Sequence, residues 1–131
     1  MILADTSVWV AHLRQPSAML SERLRNSGVL IHPFVLGELA LGGVSASTLK
    51  MLQDLPQCRV ASPDEVLTLI ETARLTGRGI GYVDTHLIAS ARMAFDTRLW
   101  SLDLKLDAVA EALGLRYSAG KSHITACPPL K

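Results

Sequence analysis

The sequence predicts an α/β domain, a three-layer α/β/α sandwich around a mainly parallel sheet of four to five strands. Short apolar runs alternate along the chain with stretches of helical periodicity, which is the order of elements in βαβ units. The length of 131 residues suits one domain. Hydrophobic residues make up 49% of the chain and charged residues 19%, so the chain has enough apolar material for a core and is not disordered.

The amino-terminal half begins with an apolar strand. Residues Met1 to Ala4 are apolar and Asp5 ends the run, a pattern typical of a buried parallel strand. Apolar residues then recur at helical spacing, and Gly28 stands where a helix commonly ends. A second apolar run, stopped by Pro33, predicts another strand. The elements expected here, in chain order, are a strand at 1–4, helices at 6–14 and 17–26, a strand at 29–32, and helices at 34–41 and 47–55.

Capping residues mark the elements of the second half. Ser62, Pro63 and Asp64 have the order of hydroxyl cap, proline and acid that begins a helix. Gly114 stops the last helix before a short apolar run. The elements expected here, in chain order, are a strand at 58–61, helices at 63–76 and 83–94, a strand at 98–102, a helix at 104–113 and a strand at 115–118.

No repeat or linker divides the chain, so we expect one domain at residues 1–118 and a C-terminal tail at 119–131. The uncharged stretch Asn26–Gly37 is shorter than the roughly 18–20 apolar residues of a membrane span. The N-terminus lacks the basic leader of a signal peptide. Cys58 and Cys127 have no metal-binding spacing and are expected to be free thiols. We therefore expect a cytoplasmic protein with no membrane segment.

Four carboxylates stand among apolar neighbours: Asp5, Glu38, Asp84 and Asp103. A buried carboxylate without a partner is costly, so each of them needs one. Asp5 and Asp103 follow predicted strands, whereas Glu38 and Asp84 lie near the starts of helices. Ligands of parallel sheets bind at the carboxyl ends of the strands, so we expect the four side chains to gather at that edge.

Carboxylates gathered within a few ångströms repel one another unless a cation neutralises them. Oxygen ligands suit hard divalent ions, so the expected cofactor is Mg²⁺, with Mn²⁺ as an alternative. A metal held in this way suits hydrolysis of a phosphodiester. Each acid also has a structural alternative: Asp5, Asp84 and Asp103 precede predicted helices and could cap them, and Glu38 could be an ordinary surface residue.

These acids and their neighbours resemble the ordered acidic motifs of PIN-domain nucleases. The matching segments are Leu3-Ala4-Asp5-Thr6-Ser7-Val8-Trp9-Val10, Gly37-Glu38-Leu39, Val83-Asp84-Thr85-His86-Leu87-Ile88-Ala89 and Leu99-Trp100-Ser101-Leu102-Asp103. The chain length and the motif spacing are most similar to those of VapC-type toxins of type II toxin–antitoxin systems. The resemblance extends from Ile2 to about Tyr117.

The resemblance implies a metal-dependent endoribonuclease that cuts RNA to inhibit translation and is held inactive by a small antitoxin protein. The catalytic and metal-binding residues that it implies are Asp5, Glu38, Asp84 and Asp103. Thr6 or Ser7 would position Asp5 or a water through a hydroxyl, and Ser101 would do the same near the last acid. Asp107 is a departure from the family's motifs: its helical spacing from Asp103 places it on the same side as an outer ligand, with a solvated helix face as the alternative.

The charge balance has two interpretations. Thirteen Lys and Arg against twelve Asp and Glu give a net charge of +1, which by itself argues against a broad basic surface for nucleic acid. With the four acids set aside at one pole, the rest of the chain carries +5, which suits an RNA substrate. The mean hydropathy of +0.28 is high for a small monomer. Together with the resemblance, it predicts a homodimer and a groove for an apolar antitoxin segment.

Two other functions remain open from the sequence. A non-catalytic PIN-like binding module would keep the fold without the acids, whereas all four acids are present here. An aspartate-dependent phosphatase would use Asp5 as its nucleophile. Phosphatases with that layout have a second aspartate two residues later, where this chain has Ser7.

Overall fold

The computed structural model describes residues 1–118, which form seven helices and a three-stranded parallel sheet. The strands are β1 (Ile2–Ala4), β2 (Val29–Leu30) and β3 (Arg98–Trp100). The helices are α1 (Thr6–Arg14), α2 (Ala18–Arg25), α3 (Pro33–Leu41), α4 (Ala46–Gln53), α5 (Pro63–Thr72), α6 (Tyr82–Met93) and α7 (Leu104–Ala112). The expected tail at 119–131 lies outside the described residues. Within residues 1–118, no helix is both long and apolar enough to cross a membrane.

The sheet has the order β2-β1-β3, with all strands parallel. Ile2 on the central strand pairs with Val29 on one side and Arg98 on the other. All three residues of β1 are buried. A strand covered on both faces explains the uninterrupted apolar run at the start of the chain. The predicted α/β class with parallel pairing is confirmed.

The sheet is smaller than the four to five strands that the sequence predicts. The run expected at 58–61 contributes no bridge to the described residues, since the bridge to Ile31 is made by Gln57 just before it. The run at 115–118 contributes only an isolated parallel bridge, between Leu99 and Arg116. Pro56 has no backbone N–H with which to extend the first pairing. The N–H of Leu115 donates to the carbonyl of Ala110 at the end of α7, so it is not available for a sheet ladder.

Three helices begin at capping residues considered from the sequence, which are Asp5, Ser62 and Asp103. The Ser17 hydroxyl accepts from the N–H of Leu20 at 3.2 Å, and the Asp5 carboxylate caps α1 in the same way. One predicted end is wrong, because α5 stops at Thr72 rather than at residue 76. Arg74 has a φ of +54°, a left-handed conformation that cannot continue a right-handed helix.

The core forms where the helices pack on the sheet. Leu3 of β1, Trp9 of α1, Ile88 of α6 and Leu106 of α7 are all buried in one apolar cluster. Burying each such side chain contributes about 1.5–3 kcal/mol before the entropic cost of ordering it. Trp9 is 1% exposed, so its role is packing. This core fixes the positions of the helices whose first turns lie at the carboxyl edge of the sheet.

Candidate active site at the carboxyl edge of the sheet

The carboxyl ends of β1 and β3 meet at one edge because the two strands are parallel neighbours. Asp5 directly follows β1, and Asp103 comes shortly after β3. From β1 the chain passes to β2 on one side of the sheet and later crosses to β3 on the other side. The direction therefore reverses at β1, and such a reversal point is where open α/β sheets bind their ligands.

Asp5 is buried, with 4% of its surface exposed, and its carboxylate is held by three donors. Its Oδ1 accepts from the Ser7 hydroxyl at 2.5 Å and from the N–H of Val8 at 3.1 Å, and its Oδ2 accepts from the Ser101 hydroxyl at 2.6 Å. Burial raises the pKa of Asp5, while these hydrogen bonds oppose the rise. A carboxylate has about four acceptor positions, so one position on Oδ2 is left for a ligand.

The two serines also join Asp5 to the loop that follows β3. The Ser7 hydroxyl oxygen accepts from the N–H of Leu102 at 2.9 Å. The Ser101 hydroxyl oxygen accepts from the N–H of Asp103, also at 2.9 Å. Each serine therefore donates to one acid and accepts from the backbone next to the other, which fixes the two acids relative to each other.

Asp103 is exposed and caps α7 with one carboxylate oxygen. Its Oδ1 accepts from the N–H groups of Lys105 and Leu106, at 2.9 and 3.0 Å. The capping role considered from the sequence is therefore present in the structure. Capping does not exclude a second role, because it uses only Oδ1 of this side chain.

Glu38 lies on the exposed face of α3, and its partner is Thr6 on α1. The Thr6 hydroxyl donates to Glu38 Oε1 at 2.5 Å. The sequence led us to expect Thr6 or Ser7 beside Asp5; the structure places Ser7 there and Thr6 beside Glu38. This hydrogen bond joins Glu38 to the first residue of α1, the helix capped by Asp5.

Asp84 occupies the third position of α6 and is half-buried. Its Oδ2 accepts a long hydrogen bond of 3.4 Å from the N–H of Gly81. Burial raises the pKa of Asp84, and the negative charges of Asp5, Asp103 and Glu38 raise it further against the effect of that hydrogen bond. Asp5, Asp103 and Glu38 thus each lie within electrostatic reach of Asp84.

The donor chemistry of this group fits a hard divalent cation, because carboxylate oxygens are the ligands such ions prefer and the charges of three acids act on Asp84. As the side chains stand, no three His, Cys, Asp or Glu residues within 1–118 are close enough to hold one ion together. Glu38 and Asp103 are exposed and hydrogen-bonded to their neighbours, so they would have to rotate to bind the same ion as Asp5.

Asp107 lies in an ion pair with Arg116. The Arg116 Nε donates to both Asp107 oxygens, at 3.0 and 2.9 Å. Arg116 Nη1 also lies 4.0 Å from Glu111. The structure therefore directs Asp107 toward Arg116, and the outer-ligand role suggested by its helical spacing from Asp103 has no contact here to support it.

An aromatic group that the sequence alone does not single out borders the acids. The Phe34 and Tyr82 side chains are 36% and 51% exposed, and both pack against the buried ring of His86. The signal in the sequence is their spacing, with Phe34 four residues before Glu38 and Tyr82 two residues before the third acid. Both aromatic residues lie in the first turn of a helix that begins beside the site.

His32 lies behind this aromatic group and is fully buried. Its Nδ1 accepts from the N–H of Phe34 at 3.0 Å, so the imidazole caps α3. Burial, with a smaller contribution from repulsion by His86, lowers the pKa of His32 to about 4. The ring is therefore neutral at physiological pH, as an acceptor at Nδ1 requires.

Comparison with known proteins identifies the family. No family model matches the sequence. The chain is 43% identical over 117 residues to Ribonuclease VapC32 of Mycobacterium tuberculosis strain CDC 1551 / Oshkosh, and to the same extent to its counterpart in strain ATCC 25618 / H37Rv. Each alignment covers 88% of this chain and 94% of the relative. The resemblance noted from the motifs is confirmed, and the chain belongs to the VapC family of ribonucleases.

Proposed function

We propose that this chain is a metal-dependent endoribonuclease, the toxin of a toxin–antitoxin pair, which hydrolyses RNA phosphodiester bonds and so inhibits translation. The observation that carries the proposal is the grouping of Asp5, Glu38, Asp84 and Asp103 at the carboxyl edge of a parallel sheet. The ribonuclease names of relatives 43% identical to the chain support RNA as the substrate.

The residues that would hold Mg²⁺ or Mn²⁺ are the same four acids, directly or through water. When bound, the ion would orient a phosphate, offset its charge and lower the pKa of a water molecule. Asp5 contributes a carboxylate that Ser7 and Ser101 hold in one orientation. Thr6 keeps Glu38 toward the same edge through its hydroxyl. The serine contacts reduce the reorganisation of the Asp5 carboxylate during the reaction.

The three-layer arrangement of PIN domains is part of the proposal. The crossover from β1 to β2 and the crossover from β2 to β3 run in opposite directions across the sheet. Parallel crossovers are right-handed in about 98% of cases, and right-handed crossovers in opposite directions lie on opposite faces of a sheet. This rule supports helices on both faces of the sheet. The acids would then lie at the carboxyl end of β1, where the direction of the crossovers reverses.

A small antitoxin and a second copy of the chain are the proposed protein partners, and the cytoplasm is the proposed location. A groove beside α1 and α3 is lined by Val10, Leu13, Leu39 and Val44 and reaches Glu38. An apolar antitoxin segment in this groove would lie against one of the four acids. The apolar composition supports self-association, which light scattering of the purified chain measures directly.

The test is cleavage of purified cellular RNA, with sequencing of the 5′ ends that appear. We expect wild-type protein to cut in Mg²⁺ or Mn²⁺, EDTA to stop the reaction, and Asp5→Ala to be inactive. RNA left intact by the wild-type protein under all these conditions would contradict the proposal.

Two other results would favour the alternative functions. RNA binding without any cleavage would favour a PIN-like binding module. Hydrolysis of an aryl phosphate through a phosphorylated Asp5 would favour a phosphatase.

A further inference from the structure

We propose that Phe34 and Tyr82 form a nucleobase-binding subsite next to the four acids, where an unstacked base of single-stranded RNA lies against their exposed rings. The inference rests on the proposed ribonuclease function and adds to it a structural class of substrate. It selects RNA whose bases are free, in a loop or a single strand, over RNA in a duplex.

The two rings share one support. Both rings contact the His86 ring in T-shaped arrangements. The ring centroids are 4.7 Å apart for Phe34 and His86, and 4.8 Å apart for Tyr82 and His86. His86 is 4% exposed, so the ring that both aromatic side chains contact belongs to the buried interior. Phe34 also packs against His32, with centroids 4.9 Å apart. Both exposed rings are thus held from behind by buried imidazoles.

The backbone under the rings is fixed as well. The N–H of Phe34 donates to His32 Nδ1, which holds Phe34 in the first turn of α3. Tyr82 is the first residue of α6, directly after the cap at Gly81. Side chains held in this way lose little conformational entropy when a ligand binds, which suits a stacking surface.

The rings adjoin the acids. Phe34 and Glu38 are four residues apart on α3, so they lie on the same helix face about 5–6 Å apart at their Cβ atoms. Tyr82 does not face Asp84, because residues two apart on a helix point in different directions. It adjoins Phe34 through His86, which both rings contact. A phosphate at Glu38 therefore places the base of an adjoining nucleotide near these rings.

Exposure distinguishes these aromatic residues from those of the core. Trp9 and Tyr117 are buried, at 1% and 8% exposed, whereas Phe34 and Tyr82 are 36% and 51% exposed. Apolar rings exposed beside carboxylates suit a ligand that has an apolar face next to an anionic group. A nucleotide has both, because every base presents a π-face and every linkage a phosphate. This combination favours RNA over an apolar protein segment as the occupant.

The experiment measures binding of fluorescent RNA by anisotropy, with Asp84→Asn in every protein to suppress cleavage. The probes are a single-stranded 12-nucleotide RNA of random sequence, its duplex form, and an abasic ribose-phosphate strand of equal length. Tyr82→Leu and Phe34→Leu each remove one ring, whereas Tyr82→Phe keeps an aromatic ring at position 82. The matched control is Phe95→Leu, since Phe95 is 97% exposed beyond the far end of α6.

We expect Tyr82→Leu and Phe34→Leu to weaken binding of the single-stranded RNA by about 5- to 100-fold, the contribution of stacking one base. Tyr82→Phe and Phe95→Leu should bind as the parent does. The abasic strand should bind equally to all the proteins, and the duplex should bind more weakly than the single strand. Circular dichroism checks that each variant is folded. If Phe34→Leu is not folded, the result for Tyr82→Leu, at the more exposed position, decides the test.

The outcomes separate this inference from the proposed function. Equal binding of single-stranded RNA by Tyr82→Leu and its parent would overturn the subsite, even where the wild-type chain cleaves RNA. A change of oligomeric state on light scattering with RNA binding unaltered would also overturn it and assign the rings to a protein contact. If no protein cuts or binds RNA, the proposed function itself fails.

Discussion

Two acids in this molecule occupy the same position of successive helices in opposite surroundings. Glu65 is the third residue of α5, and its carboxylate accepts from the N–H of Ser62 at 2.8 Å while Arg59 lies 3.1 Å away. Asp84 is the third residue of α6, and among residues 1–118 its carboxylate accepts a single hydrogen bond, of 3.4 Å, from the N–H of Gly81. The backbone hydrogen bond lowers the pKa of Glu65, with Arg59 adding to the effect, whereas burial and three nearby acids raise the pKa of Asp84.

The difference is between an acid with structural partners and an acid that has almost none. A carboxylate that stabilises a helix has donors and a positive charge beside it, as Glu65 has. Gly81 cannot complete the capping box around Asp84 because it has no side chain to accept from the helix. Asp84 is therefore held among like charges that only a ligand would compensate, and perturbed carboxylates of this kind mark functional sites.

The largest difference expected between Asp84 and Glu65 is in RNA cleavage after each acid is neutralised. We expect Asp84→Asn to lower kcat/KM by at least about 100-fold, because it removes a charged oxygen from the site. Glu65→Gln should cleave at the wild-type rate. Initial rates on one labelled RNA measure both. Equal rates for the two variants would show that the surroundings of the acids do not distinguish their roles.

A divalent ion should also distinguish the two acids, because we expect it to bind beside Asp84 and not beside Glu65. Its binding would raise the stability of the folded chain. At a concentration about 100 times its Kd, Mg²⁺ or Mn²⁺ adds about 2.7 kcal/mol of stability. Scanning calorimetry should show a higher melting temperature for the wild-type chain and for Glu65→Gln. No such increase is expected for Asp5→Asn, and a full increase there would remove Asp5 from the metal site.

Acidification tests the imidazole behind the site. The pKa of His32 is lowered to about 4 in the folded chain, whereas an unfolded chain takes up that proton near pH 6.5. The unfolded state therefore binds more protons as the pH falls, and folding loses about 2 kcal/mol between pH 7.5 and pH 5. Urea unfolding at the two pH values measures the loss.

A matched variant isolates the contribution of His32. His32→Asn keeps an oxygen that can cap α3 but has no titrating group, so its stability should depend less on pH. The raised pKa values of Asp5 and Asp84 act in the opposite direction and are present in both proteins, so they cancel in the difference. Identical pH dependence in the two proteins would contradict the assignment.

The smallest expected effect is on stability without metal. Asp84→Asn relieves repulsion and burial of charge, so it should raise the free energy of unfolding, by an amount on the order of 0.5–1 kcal/mol because the side chain is only half-buried. Glu65→Gln loses a charge-assisted cap and should lower the melting temperature. Thermal unfolding in EDTA measures both changes, and shifts of the same sign would contradict the comparison.

Local signals predicted the helices well. Ser17 and Ser62 begin helices in the structure as they do in the sequence, because capping depends on residues within one turn. The outer strands were not predictable in this way. Whether 58–61 and 115–118 form strands depends on pairing with distant residues, and Pro56 limits one of those pairings.

The same distinction applies to the site. Parallel topology was enough to predict that acids following the strands gather at one edge. The contact of Thr6 with Glu38 depends on how α1 packs against α3, and that of Asp107 with Arg116 on the path of the chain after α7. Neither contact follows from local sequence, so the hydroxyl and ion-pair partners could not be assigned in advance.

The hydrogen bond between Ser101 and Asp5 joins residues 96 positions apart, and the strand pairing beside it is equally distant. A nascent chain that ends before Ser101 has neither the second donor to Asp5 nor the backbone that Ser7 binds. The surroundings of Asp5 can therefore form only after synthesis has passed Leu102, and not when the first motif has been made.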